Sequence, residues 1–303
     1  MKTNSTQKPK APALRGILSA LVTPMTATGE VDHAKLAAFA DHLVRCGVHG
    51  LIPLGSTGEY YALDPSERER VLKTTLSAVA GRVPVIAGTN AGSTRDVIAY
   101  SRQAQKLGAS GVMLAPPYYS LPTPDELFAH FRAVNNAIGI PIMLYNYPGR
   151  TGVDMPPEFI ARLATLKNVS YVKESTGEMP RITTLLRLCG GRMGVFCGCD
   201  TIALESLLVG AIGWVGGVVN VLPKAHVRLY ELAVCQGNLA DARRLFEAML
   251  PTLELMEGCG KYTQFVKAAC GLAGYRVGPP RLPLLPATKS EVQRLRTALG
   301  NLD

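Results

Sequence analysis

The chain has 303 residues, 47% of them hydrophobic and 18% charged, with Lys and Arg outnumbering Asp and Glu to leave a net charge of +9. That length suits one α/β barrel of roughly 250 residues with an extension, and the lack of any 18-residue apolar run excludes a membrane-crossing helix of ordinary kind. The basic residues are scattered, and the few aromatics are not interleaved with them, so the charge does not describe a nucleic-acid platform. It suits the attraction of small carboxylates, or solubility alone.

Residues 1–12 are polar and rich in Lys and Pro, without the apolar stretch of a secretory signal, and read as a loose tail. Seven cysteines, at 46, 189, 197, 199, 235, 259 and 270, are odd in number and irregular in spacing, which argues for reduced thiols and a cytoplasmic location. Cys197 and Cys199 form a C-x-C pair whose side chains strand alternation would place on one face. No second Cys/His pair follows at zinc spacing, so no metal is expected.

From residue 13 onward, short β-rich apolar runs alternate with longer amphipathic stretches. The strand candidates are 17–23, 49–54, 83–88, 111–116, 141–146, 169–174, 193–197 and 212–218. Helix starts are marked by Asp32, by Asp64-Pro65 with Glu67 three residues after the cap, and by Thr123-Pro124 with Glu126. Eight β units each followed by a helical pattern predict an α/β fold with a parallel sheet, and eight is the number that closes a TIM barrel. No G-x-G-x-x-G follows the first strand, which removes the usual dinucleotide signature. The barrel is expected over 13–236. Beyond it the strands stop, and 239–256, 261–272 and 290–299 read as helices of a C-terminal extension, 237–303.

Lys173 is out of place in this pattern, because it sits near the end of a β run where burying an ammonium is costly. Desolvation lowers a lysine pKa, and a neutral amine is what a carbonyl substrate needs to form a Schiff base. A strand-end lysine by itself is more often a snorkelling or paired residue. The other strand ends change the balance, because a TIM barrel builds its site there. They carry Gly55-Ser-Thr-Gly-Glu59, Pro116-Pro-Tyr-Tyr119, Tyr145-Asn-Tyr-Pro-Gly-Arg-Thr-Gly152, Lys173-Glu-Ser175 and Gly213-Trp-Val-Gly-Gly217.

Together these motifs resemble the dihydrodipicolinate synthase / N-acetylneuraminate lyase family of Schiff-base-forming class I aldolases, from about Gly16 to Leu299 and in the family's order and spacing. The resemblance implies that Lys173 forms the imine with pyruvate or another 2-oxo acid and that Tyr145 shuttles protons there. Without it, Tyr145 would read as a barrel-lining aromatic. Ser56 takes the place of a relay threonine, keeping its hydroxyl. Thr57 matches the carboxylate cradle and Val215 a backbone contact to pyruvate. Tyr119 matches a relay tyrosine inserted across a subunit interface, its alternative being an ordinary interface aromatic. Arg150 matches the arginine that holds the carboxylate of an incoming aldehyde, its alternative being a surface-loop residue.

The resemblance therefore implies a homo-oligomer, a dimer or dimer of dimers, and substrates consisting of pyruvate and a carboxylate-bearing aldehyde. No cofactor beyond the covalent imine is implied, and no nucleic-acid or membrane partner is expected. Condensation of pyruvate with aspartate semialdehyde, a step of lysine biosynthesis, leads. A catabolic aldolase, dehydratase or imino acid deaminase is the alternative, and a non-catalytic 2-oxo acid binding barrel the remote one. The run from Gly213 to Asn220 is closer to family members that degrade hydroxyproline-derived imino acids, although those usually lack the arginine seen as Arg150. Two further features depart from the synthase pattern. Lys261-Tyr-Thr-Gln-Phe-Val-Lys267 replaces an Asn-Pro-x-Pro-Val-Lys run, and Tyr60, Tyr61 and Pro65 stand where lysine-inhibited synthases carry small and His residues. The last of these implies weak lysine inhibition or none.

Overall fold

The computed structural model describes residues 14–300, so the tail expected at 1–12 lies outside the described residues. The chain alternates β1 (Gly16–Ala20), α1 (His33–Arg45), β2 (Gly50–Ile52), α2 (Pro65–Val79), β3 (Ile86–Gly88), α3 (Thr94–Leu107), β4 (Gly111–Leu114), α4 (Pro124–Ala137), β5 (Ile142–Asn146), the short α5 (Pro148–Thr151), α6 (Pro157–Leu163), β6 (Val169–Glu174), α7 (Met179–Cys189), β7 (Gly194–Cys197), α8 (Ala203–Leu208) and β8 (Gly213–Gly216). Then follow α9 (Pro223–Tyr230), α10 (Leu239–Gly258), α11 (Tyr262–Leu272) and α12 (Lys289–Leu299).

All ladder pairings are parallel, in the order β2-β1-β8-β7-β6-β5-β4-β3, and a parallel bridge between Leu51 and Val85 brings β2 to β3. Eight strands close into a TIM barrel with the helices outside, as expected. Alternate side chains separate two cores. Leu18, Ile52, Ile86, Met113, Met143, Phe196 and Val215 fill the barrel, whereas Ile17, Leu51, Val112, Leu144, Val172 and Trp214 pack outward under the helices.

The helix starts follow from their caps. Asp32 accepts the Lys35 N–H at 3.0 Å, and Asp64 accepts that of Glu67 at 2.8 Å while the Glu67 carboxylate accepts the Asp64 N–H. The Thr123 N–H donates to Glu126 at 2.7 Å. Several strands stop earlier than their apolar runs suggest, because side chains replace the sheet partner. Past Ala20, the Asn220 amide donates to the Ala20 carbonyl at 2.8 Å and its oxygen accepts the Val22 N–H at 3.2 Å. Past Gly216, the Gly217 N–H donates to the Tyr262 phenol oxygen at 3.0 Å. Among the described residues no helix is long and apolar enough to cross a membrane.

The C-terminal helices do more than cover the barrel. Lys267 on α11 forms a fully buried ion pair with Glu59, which ends the loop after β2 and adopts a left-handed backbone at φ 56°. Lys267 also donates to the Pro279 carbonyl at 2.9 Å, and the Arg281 N–H donates to Glu59 at 2.8 Å. The Arg281 guanidinium meets both Glu67 carboxylate oxygens at 2.6 and 2.7 Å. Gly278 lets this segment lie flat on the barrel, since a Cβ there would stand 1.8 Å from the Met25 carbonyl oxygen. Removing one partner leaves the other charge buried and unpaired, so Glu59→Gln or Lys267→Met is expected to lose about 3–5 kcal/mol. The double replacement Glu59→Leu/Lys267→Met should recover much of it. Urea unfolding midpoints check this, and equal losses in single and double variants would contradict it.

Candidate active site

The parallel register that aligns β5 with β6 sets Tyr145 beside Lys173 on adjacent strands. Tyr171, Lys173 and Ser175 share the inward parity of β6, as Met143, Tyr145 and Tyr147 do on β5. The barrel interior therefore receives the lysine near its C-terminal mouth, where it is 6% exposed. Its ammonium nitrogen lies 4.4 Å from the centre of the Tyr145 ring. Gly198, just past β7, makes room for it: a Cβ there would come within 2.7 Å of Lys173 Cγ and 2.0 Å of Ser175 Oγ.

Burial lowers the Lys173 pKa to about 8, against the opposing attraction of Asp200. Burial also raises the Tyr145 phenol above its ordinary value, while Arg150 and the Ser56 hydroxyl act in the other direction. The phenol therefore stays protonated near neutral pH and is suited to give and regain one proton.

Around these two groups lies a cavity of about 210 Å³, lined by Ser56 and Thr57 from the loop after β2, Tyr147 and Arg150 after β5, and Ser175 and Thr176 after β6. Gly198 and Cys199 after β7, Val215 and Gly217 of the β8 region, and Glu257 and Tyr262 from the C-terminal helices complete it. Arg150 rides on α5, which Pro148 opens and Gly152, at φ 69°, closes. Its guanidinium lies 5.7 Å from the Tyr147 ring centre. Behind this loop, Asn146 donates to Glu174 at 3.1 Å and to Asp154 at 3.2 Å, and accepts the Met155 N–H at 3.1 Å. One outward-facing amide thus ties the β5 loop to the residue that follows Lys173.

The structure brings together Lys173, Tyr145, Ser56, Thr57, Arg150 and Val215. Tyr119 is not among them: it is 95% exposed and lies outside the cavity of its own chain. The thiols of Cys197 and Cys199 also do not share a strand face, because β7 ends at Cys197. The Cys197 thiol turns to donate to the Cys199 carbonyl at 3.0 Å, while that of Cys199 donates to Glu257 at 3.1 Å. Among the described residues no group of three or more His, Cys, Asp or Glu could hold a metal ion.

Tyr147, Ser175 and Gly217 were not singled out from the sequence, although each lies two residues beyond a recognised position and period-two parity points to it. Asp200, Glu257 and Tyr262 had no such signal. Asp200 is fully buried and accepts the Trp214 indole N–H at 2.9 Å and the Tyr262 hydroxyl. Burial first, and then the nearby Glu257 carboxylate, push its pKa up to about 7.

The model of the dihydrodipicolinate synthetase family matches residues 13–302. The 4-hydroxy-tetrahydrodipicolinate synthase of Pelobacter propionicus is 40% identical over 272 residues, 90% of this chain and 93% of that protein. A crystal structure described as a putative dihydrodipicolinate synthetase from Pseudomonas aeruginosa superposes with a TM-score of 0.92 at 38% identity, covering 96% of this chain and all of the other. The chloride-inhibited dihydrodipicolinate synthase of Acinetobacter baumannii, solved with pyruvate, gives 0.91 at 34% identity over 95% and 98% of the two chains.

A Lys173 pKa of about 8 has a kinetic consequence. About one amine in ten is neutral at pH 7, roughly 300 times the fraction for a lysine at its ordinary value. Imine formation with a small 2-oxo acid, trapped by borohydride in a time course, should therefore rise with pH and level off above about pH 8. Asp200→Asn removes a charge that favours the ammonium, so its profile should shift to lower pH. A profile still climbing at pH 10 would show an unperturbed lysine.

Proposed function

This chain belongs to the dihydrodipicolinate synthetase family, and we propose that it is a 4-hydroxy-tetrahydrodipicolinate synthase that condenses pyruvate with aspartate semialdehyde through an imine on Lys173. One observation carries the reading: a buried amine of lowered pKa opens into the same small cavity as an arginine on the next strand's loop. The names and extent of its relatives support it.

In this reading the Lys173 amine adds to the C2 carbonyl of pyruvate, and loss of water leaves a protonated imine. That imine draws electrons from C3, a proton leaves C3, and the resulting enamine carbon adds to the aldehyde carbon of the second substrate. Tyr145, with Ser56 beside it, carries protons to and from the imine. Thr57 and the surrounding backbone hold the pyruvate carboxylate, and Val215 lines the wall against it. Arg150 meets the carboxylate of the aldehyde. The imine supplies the electron sink, so this chemistry calls for neither a metal nor an organic cofactor. Tyr119, almost wholly exposed, is assigned to the active site of a neighbouring copy, which makes an oligomer the catalytic unit.

Reduction by borohydride in the presence of pyruvate should add one pyruvate-derived group to Lys173, read by mass spectrometry of the peptide, and Lys173→Ala should abolish it. Tyr145→Phe should lower kcat by roughly 10²–10⁴-fold, and Arg150→Ala should chiefly raise KM for aspartate semialdehyde. No adduct on Lys173 would overturn the mechanism, and negligible turnover of aspartate semialdehyde by the wild-type enzyme would overturn the substrate assignment.

A further inference from the structure

Besides Lys173, two opposite charges line the cavity without an ion-pair partner among the described residues. Neither Arg150 nor Glu257 takes part in a salt bridge among the described residues, although Glu257 attracts the Lys173 ammonium at longer range. Glu257 is held in place by four neutral donors: the Asp200 N–H, the Thr201 N–H at 3.4 Å, the Thr201 hydroxyl at 2.7 Å and the Cys199 thiol at 3.1 Å. These fix its carboxylate without neutralising it. A half-buried carboxylate so placed is most stable when something cationic occupies the space it faces.

The fold sets these two charges on either side of the reacting nitrogen. In the barrel β6 lies between β5 and β7. Arg150 follows β5, Lys173 ends β6, and Glu257 is bonded to the turn that follows β7. On the Glu257 side of the cavity the side-chain protons of Tyr262 and Cys199 are already committed. The Tyr262 proton is directed to Asp200, and its oxygen already accepts the Gly217 N–H, leaving a lone pair for the cavity. The Cys199 proton is directed to Glu257. The guanidinium of Arg150 stands after β5, and the hydroxyls of Ser56 and Thr57 stand after β2, across the barrel from β6. Ser175 Oγ, in the buried floor between them, has no hydrogen-bond partner.

We propose that Glu257 is a specificity-determining residue that binds the ammonium group of the second substrate while Arg150 binds its carboxylate, so that the site selects an α-amino acid aldehyde over a desamino or polyhydroxylated one. The inference deepens the synthase reading and rests on it for the aldehyde. The selectivity comes from this chain's C-terminal helix, through a residue 84 positions beyond Lys173.

The test uses an unreactive probe, so that it does not depend on turnover. L-homoserine keeps the carboxylate and ammonium and carries an alcohol in place of the aldehyde; 4-hydroxybutyrate lacks only the ammonium. Calorimetric titration of the pyruvate-loaded enzyme should show homoserine binding at least about tenfold more tightly, as expected of a charge-assisted hydrogen bond. Glu257→Gln should bring that ratio close to one while still forming the borohydride-trapped pyruvate adduct. Arg150→Ala should weaken both probes and preserve the ratio. Equal binding of the two probes by the wild-type enzyme, or an unchanged ratio in Glu257→Gln, would overturn the proposal. Failure of the wild-type enzyme to turn over aspartate semialdehyde would instead count against the synthase assignment, and the probe ratio would still decide the role of Glu257.

Discussion

The chemistry proposed for this protein rests on the desolvation of one amine. Lys173 lies buried on the inner face of a closed sheet, with its nitrogen 4.4 Å from the centre of a phenol ring and its stem against Gly198. An isolated ammonium is costly there, so burial favours the neutral amine that attacks a carbonyl. The buried Asp200 carboxylate restrains the shift, which leaves the lysine near pH 8, able to act as nucleophile and then as cationic electron sink.

Much of the remaining structure keeps that environment fixed. Asn146 and Glu174, facing outward, lock the β5 loop to β6, and Arg181 backs them at 2.7 Å from Asp154. The Glu59–Lys267 pair anchors the far end of the loop that carries Ser56 and Thr57. Because this anchor comes from α11, the C-terminal helices are part of the active-site scaffold. They also supply Glu257 and Tyr262 to the cavity wall, which joins substrate selection to the segment that braces the barrel.

The pocket's size agrees with this division of labour. A cavity of about 210 Å³ is smaller than the roughly 300–1,000 Å³ of drug-sized ligand sites, and it suits a three-carbon keto acid and a four-carbon partner. Its wall from the loops after β2 and β5 carries Ser56, Thr57 and Arg150, and its wall from α10 and α11 carries Glu257 and Tyr262. The first wall is assembled from recognisable family motifs. The second is where the Lys261–Lys267 segment departs from the synthase pattern, and Tyr262 lies within it.

The sequence by itself determined the barrel, the place of Lys173 and Tyr145 near strand ends, and the helix starts at Asp32, Asp64 and Thr123. Each follows from local rules: short β-rich runs, a capping side chain three residues from its donor, and eight alternating units. The family resemblance of motifs at the strand ends pointed to Ser56, Thr57, Arg150 and Val215, and all four line the cavity. Only the tertiary structure decided where the strands yield to side-chain partners such as Asn220. It alone separated Cys197 from Cys199, left Tyr119 outside its own cavity, and brought Asp200, Glu257 and Tyr262 against the lysine. Those outcomes depend on contacts between segments as much as 200 residues apart, as between Ala20 and Asn220. No local periodicity records such contacts, because they are set by how the C-terminal helices pack across the barrel.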